Sequence, residues 1–313
     1  METIKKIGLA LGSGSARGWA HIGVLEALDD NHIPIDFIAG SSIGAFVGAI
    51  YSAGKLDSLK EFALLMDWKM VLSYFDVVFP RTGFLDGKKV HKLFSMHTDV
   101  TTFDDLTIPV KMIATNLNTG EKVILDSGNI IDAIRASSSI PGVLTPVTRG
   151  SDILIDGGTV DPVPVGVTRE MGAEIVIAVN LNTGLIGKRH HKKPVKIDPP
   201  KNRRMPMITE NEFIQRMTRQ YETASKSVQT KIGSWLTNDK GVPNIMEVMG
   251  TSLNIMQERI TRINLAIDPP DVLIQPELSD LSLFDFTQAE RSIQEGYDKT
   301  MAQMESIKEL LEL

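Results

Sequence analysis

The chain has 313 residues, 42% of them hydrophobic and 23% charged, the balance of a globular protein able to bury a large core. It contains no cysteine, which excludes disulfides, a thiol nucleophile and thiolate-ligated metal sites, and its net charge of -6 argues against general nucleic-acid binding. The N-terminal apolar run is too short for a signal peptide and no segment reaches the roughly 18 apolar residues of a transmembrane helix, so a cytoplasmic protein is expected.

Residues 6–11, KIGLAL, predict a buried strand that runs into GSGSARG and then into a helix, WAHIGVLEALDD, with Ile22, Leu25 and Leu28 on one face. A glycine-rich loop between strand and helix exposes successive backbone N–H groups and so makes an anion site. Gly12, Gly14 and Gly18 give G-x-G-x-x-x-G, which suits either a phosphate or the oxyanion of a reaction run by a serine elsewhere. The spacing departs from the dinucleotide fingerprint, and no Gly-Lys-Ser/Thr follows as a P-loop requires. Arg17 fits the oxyanion reading, because a guanidinium inside the loop holds its shape through charge-assisted bonds to carbonyls.

Residues 33–54, IPIDFIAGSSIGAFVGAIYSAG, read strand, sharp turn, helix. Gly40-x-Ser42-x-Gly44 then forms a candidate nucleophile elbow, in which a Cβ two residues before or after the serine would strike the neighbouring strand or helix. Ser42 would stand at the N-terminus of the helix, where amides and dipole favour developing negative charge. The alternative is a Gly/Ser turn with no chemistry.

Residues 60–100 are the most aromatic stretch, with Phe62, Trp68, Tyr74, Phe75, Phe79, Phe84 and Phe94 beside several leucines and methionines. They suit either a helical layer packed on the sheet or a cap over Ser42 lining an acyl-chain groove. From Val110 the α/β rhythm returns: VKMIATNL as a strand, EKVILDSG as its hairpin partner, then DAIRASSSIPGVLTPV as helix and loop. The serines at 137–139 either supply hydroxyls to the site or satisfy a tight loop before Pro141. Ile153, Leu154 and Ile155 predict a short strand that delivers Asp156 at its end, and Gly157 and Gly158 let the backbone turn away at once. EIVIAVNLN predicts a further strand buried on both faces.

At residue 183 the composition changes. GKRHHKKPVKIDPPKNRRMP holds eight Lys or Arg against Asp198 alone, with interspersed prolines, and predicts a loop or linker over 183–206. Such a basic run is either a solvated linker or a contact for an anionic membrane. Residues 207–313 read as a C-terminal helical region packed on a domain spanning 5–182. Helices are expected over 208–238 and 244–267, the second with an apolar stripe at Ile245, Met249, Leu253, Met256 and Ile260, and PPDVLIQPEL supplies a short strand. One long final helix opens at a Thr287/Glu290 capping box, and the methionine stripes of these helices are read as core filler.

GSGSARG, then GSSIG, then the DGG of Asp156, Gly157 and Gly158 resemble, in chain order, the three-part signature of patatin-like phospholipases, and the similarity extends over roughly the first 180 residues. The resemblance implies an α/β three-layer sandwich with a mostly parallel central sheet, here with a C-terminal helical elaboration. It also implies a Ser42–Asp156 dyad, no metal and no cofactor. The histidines agree: His21, His32, His91 and His97 precede the acid and suit helix surfaces or loops, and His190 and His191 fall in the basic segment, where nothing holds an imidazole. With an aspartate as base, the oxyanion must be stabilised elsewhere, by amides around Ser13, Gly14 and Ser15, with Gly12, Arg17 and Gly18 shaping the loop. Family members usually carry three consecutive glycines where this chain has serines at 13 and 15. The expected activity is hydrolysis of lipid esters or phospholipids through an acyl-enzyme. An acyltransferase with the same dyad and a lipid-binding regulatory protein are the alternatives.

Overall fold

In a computed structural model of the chain the described residues are 5–67, 70, 93–185 and 245–312. Trp68, Tyr74, Phe75, Phe79 and Phe84, the basic run from Lys188 onward, and the helix expected over 208–238 lie outside them. Contacts divide the chain into two units, residues 1–187 with 252–313 and residues 188–251.

The strands are β1 (Ile7–Leu11), β2 (Phe37–Ser41), β3 (Val110–Asn116) and β4 (Lys122–Leu125), then β5 (Val147–Arg149), β6 (Asp152–Asp156), β7 (Ile175–Val179) and β8 (Val272–Ile274). They form one eight-stranded sheet of order β5-β6-β3-β2-β1-β7-β8, with β4 paired to β3. β3, β2, β1, β7 and β8 run parallel, while β4, β5 and β6 pair antiparallel. The β3–β4 hairpin is the one expected from the sequence. β1 is buried throughout, and its side chains divide with the two-residue period of a strand: Ile7, Leu9 and Leu11 enter the larger hydrophobic cluster and Ala10 a smaller one. β7 repeats the division, with Ile177 and Val179 in the larger cluster and Val176 and Ala178 in the smaller. Strands apolar on both faces require helices on both.

The helices are α1 (Ala20–Asp30), α2 (Ile43–Ser52), α3 (Leu56–Leu65), α4 (Ile130–Ser137) and α5 (Val165–Glu170), then α6 (Ile245–Ile267), α7 (Ala289–Met301) and α8 (Met304–Leu311). Ile22 and Leu25 of α1, Phe46 and Ile50 of α2 and Ile293 of α7 build the larger cluster. Val165 of α5, joined by Leu265 of α6, covers the smaller one. The result is helix, mostly parallel sheet, helix. α1 and α7 approach at backbone distance: a Cβ on Gly23 would stand 1.8 Å from the Ile293 carbonyl oxygen, and one on Gly296 2.0 Å from that of Ala20. The C-terminal residues therefore join the same core, and β8 extends the same sheet through β7.

Register along β3 brings two distant segments together. β4 takes one edge of β3 from Met112 to Thr115, so β2, paired up to Ile113, and β6, paired from Ala114, must share the other edge. They run in opposite directions and meet end to end, Ser41 opposite Ile113 and Asp156 opposite Ala114.

Three expectations are corrected. The final helix is two helices, α7 and α8, broken at Ala302 and Gln303. The Thr287/Glu290 capping box does not form: Thr287 lies in a 3-10 turn, Phe286–Gln288, where its hydroxyl donates to Asp285 at 2.8 Å. The methionines are not all core filler, since Met304 is buried but Met256 and Met301 are exposed.

Candidate active site

Between β2 and α2 the chain turns at Ser42, whose φ of 56° and ψ of -120° lie in a region that costs an L-residue about 1–3 kcal/mol. The flanking glycines permit it. A Cβ on Gly40 would lie 2.5 Å from the Ala45 nitrogen, and one on Gly44 would lie 2.1 Å from the Leu11 carbonyl oxygen. Ser42 is buried, and its hydroxyl donates to Asp156 Oδ2 at 2.5 Å. Its own amide donates to Ser137 Oγ at 3.0 Å. The next amides, of Ile43 and Gly44, begin α2 without an acceptor among the described residues.

Asp156 ends β6 and is held on every side. Its Oδ1 accepts the Gly158 amide at 2.7 Å, its carbonyl accepts Thr115 Oγ1 at 2.9 Å and its amide donates to the Ser139 carbonyl at 2.9 Å. Burial pushes the carboxyl up to about 6, against the lowering effect of the hydrogen bonds from Ser42 and the Gly158 amide. Gly157 is pressed on β3, where a Cβ would meet the Ile113 carbonyl at 2.2 Å. The serine run divides its labour, with Ser137 reaching Ser42 and the Ser139 hydroxyl donating to the Arg135 and Thr145 carbonyls.

The glycine loop follows β1. The Gly12 amide donates to the Val179 carbonyl at 3.1 Å, and the Ser13 amide to the Pro162 carbonyl at 2.8 Å. Among the described residues the amides of Gly14 and Ser15 have no acceptor, so the free donors of this loop are narrower than the sequence suggested. Ser15 has a φ of 50°, a left-handed value that glycine adopts without strain. Gly18 lies under Ile43, where a Cβ would stand 2.1 Å from the Ile43 side chain. Arg17 is fully buried with no carboxylate paired to it among the described residues; Nε donates to the Gly14 carbonyl at 3.3 Å and Nη2 to Asn254 Oδ1 at 2.8 Å. Burial lowers its guanidinium to about 10, still cationic at neutral pH. His21, expected on a helix surface, is instead buried beneath the loop, with Nε2 at 2.8 Å from the Gly12 carbonyl. Burial pushes its ring down to about 4, so it is neutral and donates through Nε2. Among the described residues no histidine bonds Ser42 or Asp156, and no cluster of His, Asp and Glu is arranged to hold a metal.

A family model described as Patatin-like phospholipase matches residues 9–169, more than half of the chain. The chain belongs to the patatin-like phospholipase family. It is 37% identical over 189 residues to an uncharacterised NTE family protein of Mycobacterium bovis, covering 60% of this chain and 52% of that one. It is 34% identical over 192 residues to a lysophospholipase of Yarrowia lipolytica named NTE1, covering 56% of this chain and 13% of the relative. The chain thus spans about half the length of the mycobacterial relative and a small part of the fungal one. Among solved structures, VipD from Legionella pneumophila is similar with a TM-score of 0.48 at 12% identity, covering 97% of this chain and 67% of that one.

The residues matched by the patatin-like model hold the glycine loop, Ser42 and Asp156, whereas α6 lies beyond them. α6 nevertheless contributes side chains to the site. Besides Asn254 on Arg17, Gln257 Oε1 accepts Ser13 Oγ at 3.4 Å and Asn182 Nδ2 at 3.3 Å, while Asn264 Nδ2 reaches the Val160 carbonyl and Asp161 Oδ1, each at 3.3 Å. A Cβ on Gly158 would stand 2.5 Å from Gln257 Nε2, so the helix rests on the turn that holds Asp156. Asp161, also expected nowhere, pairs with Lys122 at 3.1 Å, and burial still holds its carboxyl above the usual range. In the sequence the apolar stripe of α6 masks these partners, whose signal is Asn254, Gln257, Thr261 and Asn264 at helical spacing on the other side. Thr115 had no signal in the sequence. No helix among the described residues is long and apolar enough to cross a membrane.

Proposed function

We propose that the chain is a serine carboxylic-ester hydrolase acting on lipid esters through an acyl-enzyme, with Ser42 as nucleophile and Asp156 as base. The observation that carries this reading is the 2.5 Å hydrogen bond between the Ser42 hydroxyl and Asp156 at a strained strand-to-helix turn. Asp156 Oδ2 takes the hydroxyl proton as Oγ attacks the ester carbonyl carbon, and the carbonyl π electrons move onto oxygen. The amides of Gly14 and Ser15, which have no acceptor among the described residues, receive that oxyanion, and the loss of one such donor typically costs about 3 kcal/mol. Collapse of the tetrahedral species expels the alcohol, which takes the proton from Asp156. Water, deprotonated by the same carboxylate, then releases the acid and regenerates Ser42 Oγ–H.

A carboxyl raised to about 6 is a stronger base than an ordinary aspartate, which suits abstraction from a serine without a histidine. Because the ionised form is required, kcat/KM should rise with pH through about 6 and fall away in acid. The lipid class rests on the family and on relatives named lysophospholipases, so a lysophospholipid is the first natural substrate to try. The test is turnover of 4-nitrophenyl butyrate and labelling by a fluorophosphonate. Ser42→Ala should abolish both, and Asp156→Asn should lower turnover by at least about a thousandfold. Full turnover or labelling in Ser42→Ala would overturn the nucleophile assignment, and full turnover in Asp156→Asn the assignment of the base.

A further inference from the structure

Apart from Leu265, which packs on the smaller cluster, and the half-buried Leu253 and Ile260, α6 is patterned inside out. Within residues 252–267, which share a unit with the site, Asn254, Gln257, Thr261 and Asn264 fall within an arc of about 80° at 100° per residue, and this arc meets the protein. Ile255, Met256, Ile263 and Ile267 fall within about 120° on the other side and are 41%, 51%, 60% and 71% exposed. A surface helix ordinarily turns its apolar stripe to the core, so a stripe turned outward calls for an apolar partner.

We propose that this outer face of α6 is a docking surface for an anionic lipid layer. Charge selects that occupant. Arg259 is exposed within the apolar arc, and Arg262 borders it with a 70% exposed side chain. The sole acid in residues 252–267, Glu258, has a side chain 11% exposed and accepts from Arg262 at 3.3 Å. Apolar side chains around an unpaired arginine, with a second, Glu258-paired arginine at their border, are what an amphipathic helix uses to lie in a headgroup layer, where the apolar groups enter the acyl boundary and the cations meet phosphate. A second copy fits less well, because a twofold pairing of two such faces about their middle would bring the two Arg259 guanidinia together. The proposal deepens the lipid-ester reading and rests on it for its purpose: docking through α6 would bring to the lipid surface the helix whose inner face is bonded to the glycine loop.

The experiment uses the full chain and unilamellar vesicles of phosphatidylcholine with 30% phosphatidylglycerol, read by co-flotation, with 4-nitrophenyl butyrate hydrolysis and thermal unfolding measured in parallel. The basic run at 188–204 is kept intact throughout, so differences report on α6. Met256→Glu with Ile263→Glu should weaken vesicle partitioning at least tenfold while leaving hydrolysis of the soluble ester and the unfolding temperature unchanged. Arg259→Glu should weaken partitioning to these vesicles but not to pure phosphatidylcholine. Ser42→Ala should partition as the parent does, which separates the two readings: turnover with unaltered partitioning in the Glu variants overturns the docking surface alone, and partitioning lost in those variants without any parental turnover overturns the hydrolase alone. A lowered unfolding temperature in the Glu variants would show the face to be covered by protein, and a shift of the parent from dimer to monomer would show a second copy; either overturns the lipid assignment.

Discussion

α2 and α6 both bear on the site and obey opposite rules. α2 is buried along nearly its whole length, its residues are small and apolar, and it carries Ser42 at its N-terminus. α6 turns Asn254, Gln257, Thr261 and Asn264 toward the protein and leaves isoleucines and a methionine outside. The difference lies in what each covers. α2 packs against other apolar side chains, so its fit is set by van der Waals contact. α6 covers a polar assembly of a buried guanidinium, loop hydroxyls and carbonyls, whose hydrogen bonds must be met in place of water.

The largest effect should come from breaking the packed side. Gly44→Ala forces a methyl group against the Leu11 carbonyl at 2.1 Å and should cost more than about 3 kcal/mol, seen as a collapse of the urea midpoint or loss of soluble protein. Next comes the polar side, where the proposed role of Asp156 opposes stability. The Asp156 carboxyl is raised to about 6 in the fold, so the folded state holds its proton more tightly than the unfolded chain. Its stabilising contribution is full below the unfolded value near 3.8 and is lost as pH rises through about 6. Asp156→Asn should therefore raise stability at pH 7.5 by up to about 3 kcal/mol, a gain that vanishes below pH 4 in paired urea melts.

Smaller effects sharpen the contrast within α6. Asn254→Ala removes the side-chain acceptor of the buried Arg17 Nη2 and should cost about 2 kcal/mol, whereas Met256→Gln on the outer face should stay within about 0.5 kcal/mol. An equal cost for both would erase the distinction. Smallest, Ser15→Gly should gain about 1 kcal/mol, because the φ of 50° there strains a serine. A loss of stability would mean that the Ser15 side chain contributes more than its backbone costs.

The parts of the molecule legible in the sequence were those governed by short periods and local turns. β1, β2 and β7 announce themselves as short apolar runs, and the elbow and the Asp156 turn carry Gly40, Gly44 and Gly157, whose replacement would meet backbone. Their meeting was not local. It depends on β3 register, for which only motif resemblance served as a proxy. Loop amides were legible as a group but not singly, since the Pro162 carbonyl that takes the Ser13 amide lies far along the chain. α6 was misread for a simple reason: an apolar stripe marks the core only when the other face has water to meet, and here it meets Arg17 and Ser13. His21 was misplaced similarly, because a helix position does not reveal that a carbonyl above it needs a donor.

The end-to-end meeting of β2 and β6 on one edge of β3 makes that strand a ruler. Ser42 and Asp156 are 114 residues apart in the chain, yet the spacing between them is set by two consecutive positions, Ile113 and Ala114. Whatever is inserted or removed in the intervening loops leaves that spacing alone, provided the three pairings survive. A chain opened at the exposed turn beside Gly120 and joined from residue 313 to residue 1 would keep the Ser42–Asp156 pair although their order was reversed, so long as Lys122 still leads β4 onto the far edge.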